Sequence, residues 1–384
     1  MSVLQVVDGV VTGRVIVTGS LPPQGRDLDV LAPPATLARS QAALRALGFV
    51  PRRSTWARFQ PLELVDLRPL ADEAMLARAT PVEGCTRLCR ADPADDLRLT
   101  ALAFARDGRL SPSRRARAAV PAAVWQVARG RGDGPELDAL AAALHRVDDT
   151  PGTVRRAAGR VRRVREAGLV ALSGVDGAGK STQATLLRDT LTATGIDAVV
   201  EWNRLSHDRW LDAVARPVKW LLGRRTVRPE GPARPSGAPG GERDEPETGP
   251  ARGVWVVVVA VANAVAHVRS VRRHTLAGRV VICDRYVLDS VVHLESHYPS
   301  GPGQRLAVWL VRRLSPEPRA AFYLSVPPQH AIDRKPRPGI EPRVTRQARA
   351  YEHRHPALGV ARLDATRPVD DLAAEIAAEV WRRL

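Results

Sequence analysis

Aromatic residues make up only 4% of this 384-residue chain. So few rings exclude a basic stripe interleaved with stacking side chains, the usual composition of a nucleic-acid surface. Cysteine is nearly absent: Cys85, Cys89 and Cys283. Cys85 and Cys89 are spaced C-x3-C, and no His or second Cys pair completes a metal set. The three read as ordinary thiols in a reducing compartment. The N-terminus carries no charged-then-apolar signal pattern. The longest apolar stretch, Val254 to Ala262, is too short to span a bilayer. A cytoplasmic protein without a membrane partner is the expectation.

What is present is strongly basic. Net charge is +17 and the pI about 11.1. The basic residues are almost all Arg and are spread along the whole chain. That distribution fits solvated faces and anionic small substrates better than one nucleic-acid patch, so a nucleic-acid partner is not supported. Hydrophobic content of 44% and charged content of 26% fit a soluble globular chain. Its length suggests about two to three domains.

The most informative run is Leu172-Ser-Gly-Val-Asp-Gly-Ala-Gly-Lys-Ser-Thr-Gln. Gly174 to Ser181 fits G-x-x-x-x-G-K-[ST], the phosphate-binding loop. Gly174, Gly177 and Gly179 let the backbone turn and aim N–H groups at phosphate oxygens. Asp176 and Ala178 complete the loop, and Thr182 follows it. A helix starting near Lys180 adds its positive end. Lys180 can reach terminal phosphates, and the Ser181 hydroxyl can ligate Mg²⁺. The apolar run before the loop suits a buried parallel strand, and the spacing after it suits a helix.

Residues 1–92 alternate short apolar runs with turns: a strand over Val11–Val17, a helix over Ala35–Leu47 and a strand over Leu62–Leu67. Residues 93–167 read as a helical segment and linker, with helices over Asp95–Ala105, Ser113–Arg129 and Glu136–His145 and a basic helix or linker over Thr153–Ala167. Residues 168–384 alternate strand and helix, which predicts a parallel sheet covered on both faces. The strands are expected at Leu169–Ser173, Ala198–Glu201, Val280–Asp284, Ala321–Ser325 and Gly359–Leu363. A Pro/Gly-rich insertion, about 226–252, interrupts this pattern and is expected to be disordered.

Several spaced motifs make residues 168–384 resemble thymidylate kinases, and with them the nucleoside monophosphate kinase-like α/β fold. Besides the loop, these are Val281-Ile-Cys-Asp-Arg-Tyr, Leu324-Ser-Val-Pro-Pro with Ala331-Ile-Asp-Arg-Lys-Pro, and Asp364-Ala-Thr-Arg-Pro. The resemblance implies ATP- and Mg²⁺-dependent phosphoryl transfer to a nucleoside monophosphate or a related small phosphate acceptor. It implies that Mg²⁺ sits between phosphate oxygens, Ser181 and Asp284. It implies that Arg285 takes the acceptor phosphate, that Asp176 faces the acceptor sugar or the metal shell, and that Arg334, Lys335 and Arg337 are lid cations. A homodimer is compatible with it.

The chain departs from the family on the acceptor side. Glu201-Trp-Asn-Arg replaces the Arg-Glu-Pro-Gly-Gly segment, leaving Glu201 and Arg204 as candidate substitutes. Val259 and Asn263 stand where the family has a stacking Phe and a base-reading Arg. The reading therefore points away from thymidylate as acceptor.

Gly19-Ser20 followed by Asp27-Leu-Asp29-Val resembles the nucleotidyltransferase signature, with an α+β fold. On a strand Asp27 and Asp29 share a face, and Asp66 is a candidate third carboxylate for divalent metal. Only six residues separate Ser20 from Asp27, too few for the usual short helix. Two alternatives to a simple kinase follow: a bifunctional kinase and nucleotidyltransferase, or a nucleotide-binding regulatory protein without turnover.

Overall fold

The computed structural model describes residues 2–22, 27–108, 110–145, 167–202, 250–336 and 340–384. The chain divides into two compact units: Met1–Ala157 with Ala377–Arg382, and Ala158–Ile376 with Arg383–Leu384.

Unit 1 runs α1 (Val3–Val10), β1 (Val15–Thr18), β2 (Leu28–Ala32), α2 (Pro34–Ala46), β3 (Val50–Arg52), β4 (Thr55–Phe59), β5 (Leu62–Pro69), α3 (Met75–Arg78), β6 (Thr80–Pro81) and β7 (Leu88–Arg90). Four helices follow: α4 (Pro93–Asp107), α5 (Pro112–Ala118), α6 (Ala122–Arg131) and α7 (Gly134–Leu144). Its mixed sheet has the order β3-β4-β5-β2-β1-β7-β6. The β2–β5 and β1–β7 pairs are parallel and the others antiparallel.

Strand alternation separates two faces of this sheet. Leu28 and Val30 of β2 are fully buried and join Val6, Val7 and Leu44 in one core. Ile16 and Leu31 belong to a second cluster, with Met75 and Cys89. Half of the residues of α1 are Val, a β-branched type that lowers helix propensity. Burial of Val6 and Val7 outweighs that preference, and Ser2 and Gln5 cap the helix reciprocally.

The helices of residues 93–145 fall within unit 1. Leu97, Ala101, Leu137 and Leu140 form their core. Arg78 pairs with Asp95 at 2.8 Å and Arg98 with Asp72 at 2.8 Å, tying α4 to the chain before it. The helix expected over Ser113–Arg129 is two helices, α5 and α6. Pro121 lies between them, and proline cannot donate to a continuing helix. Residues 153–166 of the expected basic helix or linker lie outside the described residues.

Unit 2 runs β8 (Gly168–Ser173), α8 (Lys180–Ala193), β9 (Ala198–Trp202), α9 (Pro250–Thr275), β10 (Val280–Asp284), α10 (Val287–His297), α11 (Pro302–Leu314), β11 (Ala320–Ser325), α12 (Pro328–Arg334), α13 (Glu341–Arg354), β12 (Ala361–Asp364) and α14 (Val369–Arg383), the end of which is shared with unit 1. The five expected strands are present to within two residues at each end. Most of the expected insertion lies outside the described residues, and its last three residues, 250–252, open α9.

All five strands run parallel in the order β12-β11-β8-β10-β9, flanked by helices. The first strand is therefore central, and the chain leaves it in opposite directions on its two sides. Such a switch point opens a crevice at the carboxyl ends of the strands. β8 is buried along its whole length, as a central parallel strand must be. Helices α9 and α11 approach closely at Gly253 and Gly303, where an added Cβ on Gly303 would lie 2.7 Å from the Gly253 Cα.

Candidate active site

The turn after β8 carries the glycine-rich loop to the switch point. Gly174, Gly177 and Gly179 all have positive φ, at 149°, 90° and 87°. A Cβ on Gly174 would lie 2.8 Å from the Leu324 carbonyl oxygen, and one on Gly177 would run into the Ala331 carbonyl. Only glycine meets both demands, conformation and clearance. Gly179, left-handed, is the residue from which α8 starts, so the first N–H groups of α8 have no partner within the helix.

Lys180 folds back into this loop. Its Nζ donates to the carbonyls of Gly174 at 2.8 Å and Val175 at 2.9 Å. The residue is 5% exposed. Burial, aided by the Arg285 charge, pulls its ammonium down to about 8. Ala178 is buried in the turn, whereas Ser181 and Thr182 are exposed in the first turn of α8.

Asp284 ends β10 opposite Leu172 of β8. Its Oδ2 accepts from the Ser181 hydroxyl at 2.5 Å. Its Oδ1 is buried with no hydrogen-bond partner among the described residues. An ionisable side chain at 3% exposure with an orphan oxygen calls for a cation. One hydroxyl and one carboxylate, completed by phosphate oxygens and water, is a donor set that fits Mg²⁺. Three rigid glycines and a buried lysine fit the triphosphate.

Arg285 is the next residue, and its φ of 79° is unusual for a side chain this large. Its guanidinium pairs with Asp176 and reaches Asp289 Oδ1 at 3.5 Å. Burial opposes charge on Asp176, yet Arg285, Lys180, Lys335 and Arg343 hold its carboxyl below the usual range. Arg285, Asp176 and Lys335 therefore belong to one electrostatic group.

Asp289 is a centre the sequence reading passed over. Its Oδ2 accepts from the Tyr286 N–H at 3.0 Å, and its Oδ1 from the Tyr351 hydroxyl at 2.7 Å. The Gly174 N–H lies 3.5 Å from the same Oδ1. One buried carboxylate thus ties the loop, the Arg285 turn and α13 together. The available signal was an acid three residues into the helix after Tyr286, a capping-box position. Arg343 was also passed over. It stands on α13 beyond the expected lid, and its charge reaches both Asp176 and His293.

The expected lid cations do not act alike. Both terminal nitrogens of Arg334 donate to the Ala365 carbonyl at 3.4 Å. Arg334 therefore faces the turn after β12, because α12 ends there and carries its last side chain towards that loop. Arg337 lies outside the described residues. In the turn itself, Asp364 Oδ1 accepts from the Thr366 N–H and hydroxyl at 2.9 and 2.7 Å. A cleft of about 910 Å³ opens beside it, lined by Tyr323, Ser325, Pro327, Glu352, Arg362 and Asp364 among others. None of its lining residues belongs to the glycine loop.

Glu201 is committed elsewhere. It accepts from Ser270 at 3.0 Å and pairs with Arg273 and His274 at 2.7 Å, which ties β9 to the end of α9 and removes it as an acceptor contact. Arg204 and the side chains of Val259 and Asn263 lie outside what is described.

In unit 1, Asp29 on β2 stands opposite Asp66 on β5. Burial, then the charges of Asp27 and Asp66, push the Asp29 carboxyl up to about 6. The three acids expected to hold metal are thus neighbours, but Arg68 pairs with Asp66 and lies 3.6 Å from Asp29. Among the described residues, no three His, Cys, Asp or Glu side chains form a metal-holding group. The acids of unit 1 do not fit a divalent ion with that guanidinium present. No helix among the described residues is long and apolar enough to cross a membrane.

Compared with known proteins, the chain matches no family model and no curated sequence.

Proposed function

We propose that unit 2 transfers the terminal phosphoryl group of ATP to a nucleoside monophosphate or a similar small phosphate acceptor. The observation that carries this reading is the Gly174–Ser181 loop at the switch point, with Lys180 turned inside it and Ser181 joined to an Asp284 whose second oxygen is unpartnered.

Phosphoryl transfer asks a protein to hold phosphates in line and to neutralise developing charge. The loop amides and Lys180 would hold the donor's β- and γ-phosphates. Ser181 and Asp284 would hold Mg²⁺, which would supply positive charge to the phosphates. Arg285 offers a planar fork suited to the acceptor phosphate, which would compete with Asp176 for it. Asp289 keeps the guanidinium oriented during that exchange. Lys335 and Arg343 add positive potential on the acceptor side.

A screen of nucleoside monophosphates and sugar phosphates with γ-labelled ATP tests the reading. Label transferred to one of them supports it. Absence of transfer to any of them, from folded protein that binds ATP, would leave a nucleotide-binding protein instead.

Two narrower expectations follow. Lys180 has a lower pKa folded, about 8, than its ordinary 10.5. The ligand-free fold therefore disfavours the charged form below pH 8 and gains stability as pH rises from there towards 10.5. A polyphosphate in the loop favours the charged form again. ATP binding between pH 8 and 9 is expected to take up a fraction of a proton, seen as buffer-dependent heat in calorimetry. Heat that is independent of buffer would contradict this.

Tyr351→Phe removes the hydroxyl donor to Asp289 and loosens Arg285. The acceptor's kcat/KM is expected to fall about tenfold, the worth of one hydrogen bond to a charged group, while the KM for ATP stays unchanged. Equal loss on both substrates would mean that the network supports the fold rather than the acceptor.

A further inference from the structure

We infer that Arg68 is the built-in cation of the Asp27, Asp29 and Asp66 cluster, standing where a divalent ion would otherwise bind and closing unit 1 to metal-dependent nucleotidyl transfer. The inference concerns unit 1 alone and does not depend on the kinase reading of unit 2.

The backbone brings the acids together. β2 and β5 run parallel with Asp29 opposite Asp66, and Asp27 stands in the bend just before β2 rather than on the strand that the sequence predicts. Carboxylates gathered on one side of a sheet repel one another and need a positive partner. Arg68 supplies it from the same face of β5, two residues after Asp66. One terminal nitrogen of its guanidinium pairs with Asp66 Oδ2 and stands 3.6 Å from Asp29 Oδ1. Unlike a bound ion, this cation can neither dissociate nor lose its proton.

The cluster keeps the mark of a different occupant. Asp66 is 6% exposed, and its Oδ1 is buried with no hydrogen-bond partner among the described residues. A planar donor reaching Asp66 from one side leaves that acceptor over. A divalent ion, which gathers oxygens from all directions, would use it. The guanidinium lies against two of the acids, and no three such side chains among the described residues form a metal-holding group. Removing the guanidinium should therefore create a cation site instead of merely breaking an ion pair.

The test is Mn²⁺ titration of the full chain without nucleotide, with free Mn²⁺ counted by electron paramagnetic resonance. In the wild type, Asp29→Asn should leave Mn²⁺ binding unchanged. Arg68→Met should gain one Mn²⁺ equivalent with a Kd on the order of 10–100 µM, within the range of oxygen-donor sites. That gain should vanish in Arg68→Met combined with Asp29→Asn. A wild-type equivalent removed by Asp29→Asn would overturn the inference, because the acids would already hold metal. So would a folded Arg68→Met that gains none. If Arg68→Met does not fold, Arg68→Gln removes the charge while keeping a donor for Asp66, and the wild-type comparison with Asp29→Asn stands on its own.

Discussion

Lys180→Ala is expected to lower ATP-dependent phosphoryl transfer by about two to four orders of magnitude, the usual cost of removing a preorganised charge from a transferring phosphate. The geometry makes Lys180 hard to replace. Its Nζ is the cation held inside the loop, bridging the Gly174 and Val175 carbonyls. Arg285, the nearby alternative, is engaged by Asp176 and Asp289. The substitution also leaves two carbonyls without their donor, so part of the loss comes from a relaxed loop. Lys180→Met also lacks the charge and the donor but keeps most of the stem, so its difference from Lys180→Ala isolates the contribution of packing. The check is the initial rate of label transfer, with thermal melting of each variant. A wild-type rate from either would defeat the assignment of this loop.

Gly177→Ala should be nearly as severe, and for a reason unrelated to charge. Gly177 has φ of 90°, which an L side chain rarely adopts. Its added Cβ would meet the backbone carbonyl of Ala331 in α12, and backbone cannot rotate away as a side chain can. Either the loop or α12 must move, and the amides that aim at phosphate move with the loop. ATP affinity is expected to fall at least about a hundredfold, roughly 3 kcal/mol, consistent with strain at a special φ added to lost contacts. Gly179→Ala makes the comparison informative. Its φ of 87° carries the same strain, but an added Cβ meets nothing within 4 Å. Equal losses in both variants, measured by equilibrium binding of ATP, would mean that the approach of α12 does not matter.

The parallel sheet was legible because its strands other than β12 are short, mainly apolar runs and the loop motif names the turn after the first. Asp284 and Arg285 were legible because they close such a strand. Asp289 and Tyr351 were not, since their meaning arises only when α10 and α13 meet across the Arg285 turn. Arg334 carried the right chemistry, but its direction depends on where α12 ends, which periodicity does not fix. The acids of unit 1 were visible as a spacing. The guanidinium that changes their meaning was not, because Arg68 looked like one more residue of an Arg-rich chain.

The left-handed backbone of Arg285 sets local strain against the ion pairs that its side chain makes. An arginine at φ of 79° costs the native state on the order of 1 kcal/mol that glycine would not. Glycine at this position would relieve that strain but leave Asp176 and the buried Asp289 without their cation, a larger loss than the strain itself. The unusual backbone at Arg285 is thus held in place by its own ion pairs, and a heat-tolerance screen would retain this arginine whether or not it serves a reaction.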